Sequence, residues 1–407
     1  ILIEENKDLI TQSIEIVKNL NNSYLTIQGP PGTGKTYTSA KIIIELMKVG
    51  KKVGITSNSH EAIKTLLIAI EQQAVDQNYE FSGMRKSKSS DKHEWKFIRN
   101  VTTGKPLNMD SYSLFAGTSW FFVDPRMNKT LDYLFIDEAG QVALGTTIAN
   151  ATSADNLVLI GDQMQLSQPM RAKHEGYARK SSLDFILEDD DTISTDKGVF
   201  LNVTRRLNKK ICNYISTSFY DSRLTSDPIT ETRSVNLKLD PIKDEGLFYV
   251  PIDHSGCSQR SDEEADLVEK VFNKIVNKQY KSENITGKIS AKDIMVVAPY
   301  NAQANNIRER LKKKFKDDVR VGTIDLFQGQ EAKVVLISMT TSDVESLPRH
   351  KDFFFSRNRL NVAISRAECV AIIIFNENLL LASASNIKEM KLINSFCKLL
   401  TFKTNYK

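Results

Sequence analysis

The stretch LTIQGPPGTGKT, which occupies residues 25–36, decides the fold of this chain. It begins with a short apolar strand, Leu25–Ile27, and ends in the phosphate-loop pattern G-x-x-x-x-G-K-[ST] over Gly29–Thr36. A helical run from Tyr37 to Val49 follows, so the glycine-rich turn lies between a strand and a helix, as this pattern requires. The stretch therefore predicts a loop that binds the phosphates of a nucleotide.

Each residue type in this loop has a chemical reason to be there. Glycines let backbone N–H groups converge on phosphate oxygens, and Lys35 is expected to reach the terminal phosphates. The hydroxyl of Thr36 is placed to ligate Mg²⁺. The residues predicted to hold the nucleotide here are Gly29, Pro30, Gly32, Thr33, Gly34, Lys35 and Thr36.

A metal ion beside a phosphate loop needs a carboxylate from a neighbouring strand. Residues 134–138 read Leu-Phe-Ile-Asp-Glu, an apolar strand end followed by two acids. Asp137 is expected to bind Mg²⁺ through water, and Glu138 to polarise the water that attacks the γ-phosphate. A polar loop after the next buried strand is expected to bring the Gln165 amide to the same phosphate. Together these residues predict hydrolysis of a nucleoside triphosphate.

Apolar strands separated by helical segments recur along the chain, which predicts an α/β fold with parallel sheets covered on both faces. The predicted strands are Lys52–Thr56, Asp132–Ile136, Asn156–Ile160, Lys292–Ala298, Val319–Thr323, Ala332–Ser338 and Val370–Phe375. We expect two tandem domains, residues 1–195 and 196–407, divided just past an acidic run at 188–191. Residues 81–110 and 221–246 interrupt the pattern and are predicted to be an insertion and a long loop.

The composition is that of a globular protein without a membrane span. Of the 407 residues, 41% are hydrophobic and 26% charged, and neither a bilayer-length apolar run nor a signal-peptide pattern is visible. The formal charge of +5 means that any surface for a polyanion must be a local arrangement. The four cysteines lack Cys-x-x-Cys spacing, which argues against a disulfide framework or a zinc ribbon and favours a reducing, cytoplasmic setting.

Several ordered motifs resemble those of superfamily 1 helicases, in the branch of the nonsense-mediated-decay RNA helicase and the replication-associated nuclease–helicases. The stretches that carry the resemblance are GTS at 117–119, DEAGQ at 137–141, GDQMQL at 161–166, PYNAQ at 299–303, VGTIDLFQGQE at 321–331 and NVAISRA at 361–367. A finer resemblance, carried by residues 117–122, 199–201 and 348–361, is to the helicase half of bacterial proteins that fuse a RecB-like nuclease upstream.

The resemblance implies two RecA-like domains and assigns further residues. Those implied to contact the nucleotide are Gln12 at adenine, Tyr300 against the base, Glu331 at the ribose with Gly329 beside it, and Arg206 and Arg366 at the γ-phosphate. Those implied to touch the backbone of a single strand are Ser57, Asn58, Thr118 and Thr323. Such backbone contacts carry no base identity, so binding is expected to be independent of sequence.

The chain departs from the family pattern at two motifs. Gln163 replaces a proline, and residues 167–168 stand where the family has a proline pair. Residues 204–209 lack the usual aromatic residue and His-Pro, which leaves either Arg205 or Arg206 to face the nucleotide. The register of the residues that follow favours Arg206.

The resemblance implies an ATP-dependent helicase or translocase on single-stranded nucleic acid, DNA more than RNA, that steps 5′ to 3′ with ATP and Mg²⁺ between its domains. Two alternatives are an ATP-switched nucleic-acid-binding module and an accessory motor that feeds a nuclease. The resemblance to the fusion proteins, together with a chain that begins at Ile1, implies a RecB-like nuclease upstream or as a partner. The composition argues against a membrane partner.

Overall fold

The structure, a computed structural model, describes residues 3, 7–87, 93–102, 109–167, 175–283, 285–342 and 354–403. The chain divides into two compact units, Ile1–Asn202 and Val203–Lys407. The first unit extends past the expected boundary at residue 195, because a strand over Gly198–Phe200 pairs with the first strand of the chain. The predicted motif residue Gln168 and residues 348–353 lie outside the described ranges.

The first unit is built on a parallel sheet in the order β4-β3-β5-β2-β6-β7-β1-β8. Its strands within the described residues are β1 Tyr24–Gln28, β2 Val53–Thr56, β3 Gly83–Lys86, β4 Ile98–Val101, β5 Leu114–Ala116, β6 Leu131–Ile136, β7 Ala154–Gly161 and β8 Gly198–Phe200. The helices are α1 Leu9–Lys18, α2 Lys35–Lys48, α3 His60–Asp76, α4 Ser119–Phe122, α5 Leu144–Ala151 and α6 Ser182–Leu187.

Continuous apolar sequence explains why these strands are central. All of β2 is buried, as is β6 from Tyr133 onward, because helices cover both faces of the sheet. Helix α2 packs Ala40, Ile43 and Ile44 into the same core as Leu25 and Ile27 of β1. The phosphate-loop segment is therefore anchored on a buried strand at one end and a buried helix at the other.

The second unit repeats this architecture with a parallel sheet in the order β12-β18-β17-β15-β16. Its described strands are β9 Val203–Thr204, β10 Thr225–Ser226, β11 Ser234–Val235, β12 Gly246–Pro251, β13 Gln279–Ser282, β14 Ile285–Lys288, β15 Ile294–Val297, β16 Arg320–Gly322, β17 Ala332–Ser338 and β18 Ala367–Phe375. The helices are α7 Lys209–Phe219, α8 Asp262–Ile275, α9 Asn301–Phe315, α10 Arg357–Ile364 and α11 Ile387–Cys397. The predicted α/β fold with two parallel sheets is confirmed.

The two stretches predicted to be irregular are in part regular. Within residues 81–110, β3 and β4 extend the first sheet at its edge, and Trp95 between them packs against the core. Its ring lies 4.2 Å from that of His93 and under the guanidinium of Arg85. Within residues 221–246, short strands and four buried apolar residues join the second core, namely Val235, Leu237, Leu239 and Ile242. Four-residue strands that carry charged side chains give too weak an alternation to be recognised from sequence.

No helix among the described residues is both long enough and apolar enough to cross a membrane.

Candidate functional site

The phosphate-loop segment forms the predicted turn between β1 and α2. Gly32 and Gly34 have φ values of 75° and 82°, in the left-handed region that favours glycine. The Thr33 hydroxyl donates to the Pro30 carbonyl oxygen at 2.8 Å. Lys35 opens α2, and its Nζ donates to the Gly29 carbonyl oxygen at 2.6 Å. The ammonium group therefore lies over a loop whose following helix N-terminus favours an anion.

The two adjacent acids lie at the carboxyl end of β6. The Asp137 N–H donates to the carbonyl oxygen of Thr56 at 2.9 Å, which ties this loop to the end of β2. Burial, followed by the charge of Glu138, raises the pKa of Asp137 to about 7, while the Lys35 ammonium opposes this shift. Glu138 itself has a φ of 54°, an uncommon conformation for a residue with a side chain. The carboxylate form of Asp137 is thus one that a bound cation would stabilise.

Three motif loops of the first unit meet backbone to backbone. The Gly29 N–H donates to the Gly161 carbonyl oxygen at 2.9 Å. A Cβ placed on Gly161 would lie 2.9 Å from the backbone nitrogens of both Ala139 and Gly140. A Cβ on Gly140 would in turn lie 2.9 Å from the carbonyl oxygen of Asp162. The positions of the phosphate loop and both acidic loops are therefore fixed by close approach at these glycines.

In the loop after β7, the side chain of Asp162 binds two groups of the same loop. Asp162 is 3% exposed, and its carboxylate accepts from the Met164 N–H at 3.1 Å and from the Gln165 amide at 2.9 Å. The Gln165 side chain predicted to reach a γ-phosphate is thus bound to Asp162 in this structure. A role at the phosphate, which stays a prediction, requires the amide to exchange that partner.

The departure at Gln163 is accompanied by a side-chain network. Gln28, the last residue of β1, is fully buried and donates to Gln163 Oε1 at 2.9 Å and to the Asp191 carbonyl oxygen at 3.0 Å. Gln163 also donates to the Asp191 carbonyl oxygen, at 2.8 Å. The Ile193 N–H completes the set by donating to Gln28 Oε1 at 2.6 Å. Hydrogen bonds thus hold this loop at the position where the family uses a proline.

The residue implied to read adenine lies on the first helix. Gln12 of α1 is 6% exposed, and its amide donates to the Lys7 carbonyl oxygen at 3.1 Å. Asp8 caps the same helix by accepting from the Thr11 N–H at 2.8 Å, which fixes the start of α1. The structure leaves the adenine role of Gln12 a prediction.

The residues implied to touch a nucleic-acid strand follow the carboxyl ends of strands in their own units. Ser57 after β2 is enclosed at 1% exposure, and its hydroxyl has no partner among the described residues. Asn58 is exposed and donates to the Gln141 carbonyl oxygen. Thr118 after β5 and Thr323 after β16 are half-buried. Of these, Asn58, Thr118 and Thr323 have side chains that a strand could reach.

In the second unit, side chains from three separate motifs converge. Arg206 is 15% exposed at its side chain, and its Nε donates to Glu331 at 2.7 Å. Arg366 is 2% exposed and donates to the Gln330 carbonyl oxygen at 2.9 Å. Gly329, next to these residues, has a φ of 75°. The predicted γ-phosphate arginines are therefore bound in this structure to the stretch 321–331, which is called motif V below, and Arg366 is almost fully buried.

The structure distinguishes Arg205 from Arg206, the two candidates to face the nucleotide. Arg205 has a side chain that is 60% exposed and pairs with Asp227 at 3.2 Å, away from Glu331. Arg206 instead faces the motif V carboxylate, which supports the choice of Arg206. Tyr300, implied to lie against the base, is half-buried at the start of α9, and burial raises its pKa.

Sequence reasoning missed two residues of this arrangement. Arg320 donates to the Glu331 carbonyl oxygen at 3.0 Å and to Gln330 Oε1 at 2.9 Å, so it supports the motif V loop. Trp120 on α4, two residues after Thr118, is 85% exposed. A large aromatic residue at that exposure is an available platform for stacking. Its position within the motif 117–122 was the sequence signal that could have indicated it.

Two protein families match the chain, both described as AAA domains, one over residues 12–170 and the other over residues 181–378. The DNA replication ATP-dependent helicase/nuclease DNA2 of Saccharomyces cerevisiae is 26% identical over 410 residues, which cover 93% of this chain and 26% of the relative. The Regulator of nonsense transcripts 1 homolog of Neurospora crassa is 26% identical over 422 residues, which cover 91% of this chain and 37% of the relative. The chain thus spans well under two thirds of the length of these relatives.

A solved structure of the DUF1998 helicase MrfA bound to DNA superposes with a TM-score of 0.50 at 9% identity, over 97% of this chain and 51% of that chain. This likeness concerns the fold and agrees with the tandem α/β architecture. Over both of its units, the chain is thus similar to superfamily 1 helicases. The finer resemblance to bacterial nuclease–helicase fusions stays a prediction.

The close approach at Gly161 yields the first testable prediction. In Gly161→Ala, the added methyl group meets two backbone nitrogens that cannot swing away, so we expect a loss of about 1–3 kcal/mol in the free energy of unfolding. The matched control is Gly145→Ala in α5, where nothing lies within 4 Å of the added Cβ and no loss is expected. Urea unfolding followed by circular dichroism measures both, and equal midpoints for the two variants would contradict the backbone packing described here.

Proposed function

We propose that this chain is a superfamily 1 helicase that couples ATP hydrolysis to movement along single-stranded nucleic acid, with DNA preferred over RNA. One observation carries the proposal. The phosphate loop, the loop of Asp137 and Glu138, and the loop of Asp162 are packed against one another at the carboxyl edge of one parallel sheet. That edge is where α/β sheets bind their ligands.

The residues present fit ATP and Mg²⁺. The phosphate-loop N–H groups and the start of α2 offer donors to phosphate oxygens, and Lys35 already places its ammonium group over the loop. Thr36 and Asp137 would hold Mg²⁺, which supplies charge neutralisation at the phosphates. The raised pKa of Asp137 fits this role, because burial disfavours its charged carboxylate and a bound cation would stabilise that form. Glu138 would then orient the attacking water.

The second unit contributes arginines in this proposal. Arg206 is held by Glu331 and Arg366 by the carbonyl oxygen of Gln330. A nucleotide ribose that takes Glu331 as its acceptor would release Arg206 toward a phosphate. The pairing of Arg206 with Glu331 therefore supports the proposal that nucleotide binding to Glu331 also frees Arg206.

The strand is proposed to lie over the carboxyl edge of the sheets, with contacts from Asn58, Thr118 and Thr323. Ser57 would contribute through its backbone, because its side chain is enclosed. Trp120 would add base stacking, which tolerates any sequence. Movement from 5′ to 3′ and a RecB-like nuclease as a neighbour or partner follow the family resemblance and complete the proposal.

The decisive experiment measures ATP turnover with and without single-stranded DNA and RNA, and strand displacement on duplexes with a 5′ or a 3′ tail. The proposal expects turnover to rise with a strand and displacement to require a 5′ tail. Stimulated turnover without displacement of either duplex would favour an ATP-switched binding module or an accessory motor. An ATP turnover rate that is the same with and without nucleic acid would overturn the proposal.

Changes in the phosphate-binding residues test the nucleotide site. Lys35→Ala should abolish turnover, because it removes the ammonium group that lies over the phosphate loop. Glu138→Gln should still bind ATP and Mg²⁺ but fail to hydrolyse, because Asp137 remains while the carboxylate that orients water is lost. A fluorescent nucleotide analogue reports binding and phosphate release reports turnover. Hydrolysis at the wild-type rate in either variant would remove the assignment.

Trp120→Ala tests the proposed strand contact. Loss of one stacked base should weaken single-strand binding by about 1–3 kcal/mol, measured by fluorescence anisotropy of a labelled oligonucleotide. The control is Tyr24→Ala, which removes an aromatic ring that is 53% exposed at the opposite, amino end of the first sheet. If both variants bind as the wild type does, Trp120 is not a stacking residue.

The adjacent arginines, Arg205 and Arg206, provide a paired test of which of them faces the nucleotide. Arg206→Ala should lower turnover by roughly 10³-fold, as for an arginine that stabilises transition-state charge, with nucleotide binding only modestly weakened. Arg205→Ala should turn over normally, because its side chain is exposed and pairs with Asp227. The reverse pattern would move the motif by one residue.

A further inference from the structure

A buried histidine in the second unit is held as a metal-ligating histidine is held. His254 follows β12, and its Nε2 lies 3.0 Å from Glu264 Oε1, with both side chains fully buried. Glu264 is fixed in turn, because its other oxygen accepts from the Ser338 hydroxyl at 2.5 Å and from the Thr340 N–H at 2.8 Å. A carboxylate that accepts from one ring nitrogen sets the tautomer and leaves the other nitrogen with its lone pair.

The other ring nitrogen of His254 lacks a partner. His254 Nδ1 is buried and has no hydrogen-bond partner among the described residues. A ring nitrogen of His254, the Cys257 thiol and a carboxylate oxygen of Glu263 all lie within 4.8 Å of one another. The Cys257 sulfur is 3.9 Å from Glu263 Oε2. An unpaired buried nitrogen is costly, so His254 Nδ1 calls for a ligand, and a thiol and a carboxylate lie close to the same ring.

We propose that His254 Nδ1, Cys257 Sγ and the Glu263 carboxylate bind a divalent zinc ion, with a fourth position open to water. Imidazole, thiolate and carboxylate are the donors that Zn²⁺ takes, whereas Mg²⁺ and Ca²⁺ take oxygen donors. Zinc bonds of about 2.0–2.3 Å place tetrahedral ligand atoms roughly 3.3–3.7 Å apart, so the three groups need only a small inward shift. The exposed Glu263 leaves an entry path from solvent.

The loop that carries the ligands is already shaped. The Cys257 N–H donates to the Ser342 hydroxyl at 3.0 Å, and the Ser342 N–H donates to the Cys257 carbonyl oxygen at 3.0 Å. Ser261 caps α8 by accepting from the Glu264 N–H at 3.0 Å, while its hydroxyl donates to Glu263 Oε2 at 3.0 Å. All three ligands thus come from one short segment whose backbone is tied at both ends. Preorganisation of this kind favours a bound ion over a chance encounter.

Zinc binding here carries a proton balance. Burial, and then the nearby Glu263 charge, raise the pKa of the Cys257 thiol, so the metal-free thiol is protonated at neutral pH. Formation of the zinc–sulfur bond therefore releases that proton to solvent.

The test uses Co²⁺ as the spectroscopic substitute for Zn²⁺, on the full chain free of any affinity tag and stripped of metal. The wild type should bind one equivalent, with the near-ultraviolet charge-transfer absorption of a thiolate ligand, and Zn²⁺ should displace it. Cys257→Ser should lose the absorption. The matched control Cys397→Ser should keep it, since Cys397 is another partly exposed free cysteine outside this cluster.

Glu263→Gln keeps the proposal testable if the serine variant is poorly folded, because Glu263 is exposed and the exchange preserves its shape. It should retain the thiolate absorption but bind Co²⁺ at least roughly tenfold more weakly. Absence of thiolate absorption in the wild type, absorption that survives Cys257→Ser, or unchanged affinity in Glu263→Gln would each overturn the site as described.

Discussion

The contact on which the rest of the first unit depends is the approach of three backbones at Gly161. One carbonyl oxygen accepts from Gly29, and the missing Cβ lets the chain lie against Ala139 and Gly140. Because these groups are backbone, they cannot rotate away from a larger residue. The spacing between the predicted phosphate-binding turn and the carboxylate proposed to bind Mg²⁺ is consequently set by the sheet, which fixes the positions of the side chains at this site.

Many predicted ligand-binding side chains are engaged with one another in this structure. Lys35 binds a carbonyl oxygen of its own loop, Gln165 binds Asp162, and Arg206 binds Glu331. The Arg206–Glu331 pair is partly exposed, and such pairs contribute only about 0–1 kcal/mol, so a ligand can displace them at little cost. Arg366 is different, because its guanidinium is enclosed and a new partner requires movement of the surrounding motif.

Residues close together in sequence were the ones that sequence reasoning located well. The phosphate-loop turn, the buried strands and the paired acids follow from local pattern, because strand burial and turn chemistry are encoded within a few residues. The Gln28–Gln163 bond joins residues 135 positions apart, and no local pattern announces it. Likewise β3 and β4 are only four residues long and carry charged side chains, so their sequence pattern is weak. The pairing of His254 with Glu264 is recognisable only once the segment after β12 packs against α8.

The two tryptophans of the chain, Trp95 and Trp120, both belong to the first unit. Trp95 is partly buried against the core beside His93, whereas Trp120 stands almost fully in solvent. Tryptophan emission from the intact chain therefore comes from the first unit alone. A soluble quencher such as acrylamide would quench the exposed Trp120 before Trp95. The remaining emission, at shorter wavelength, would then report whether the first unit is folded. Tryptophan fluorescence thus distinguishes structural changes in the first unit from those in the second.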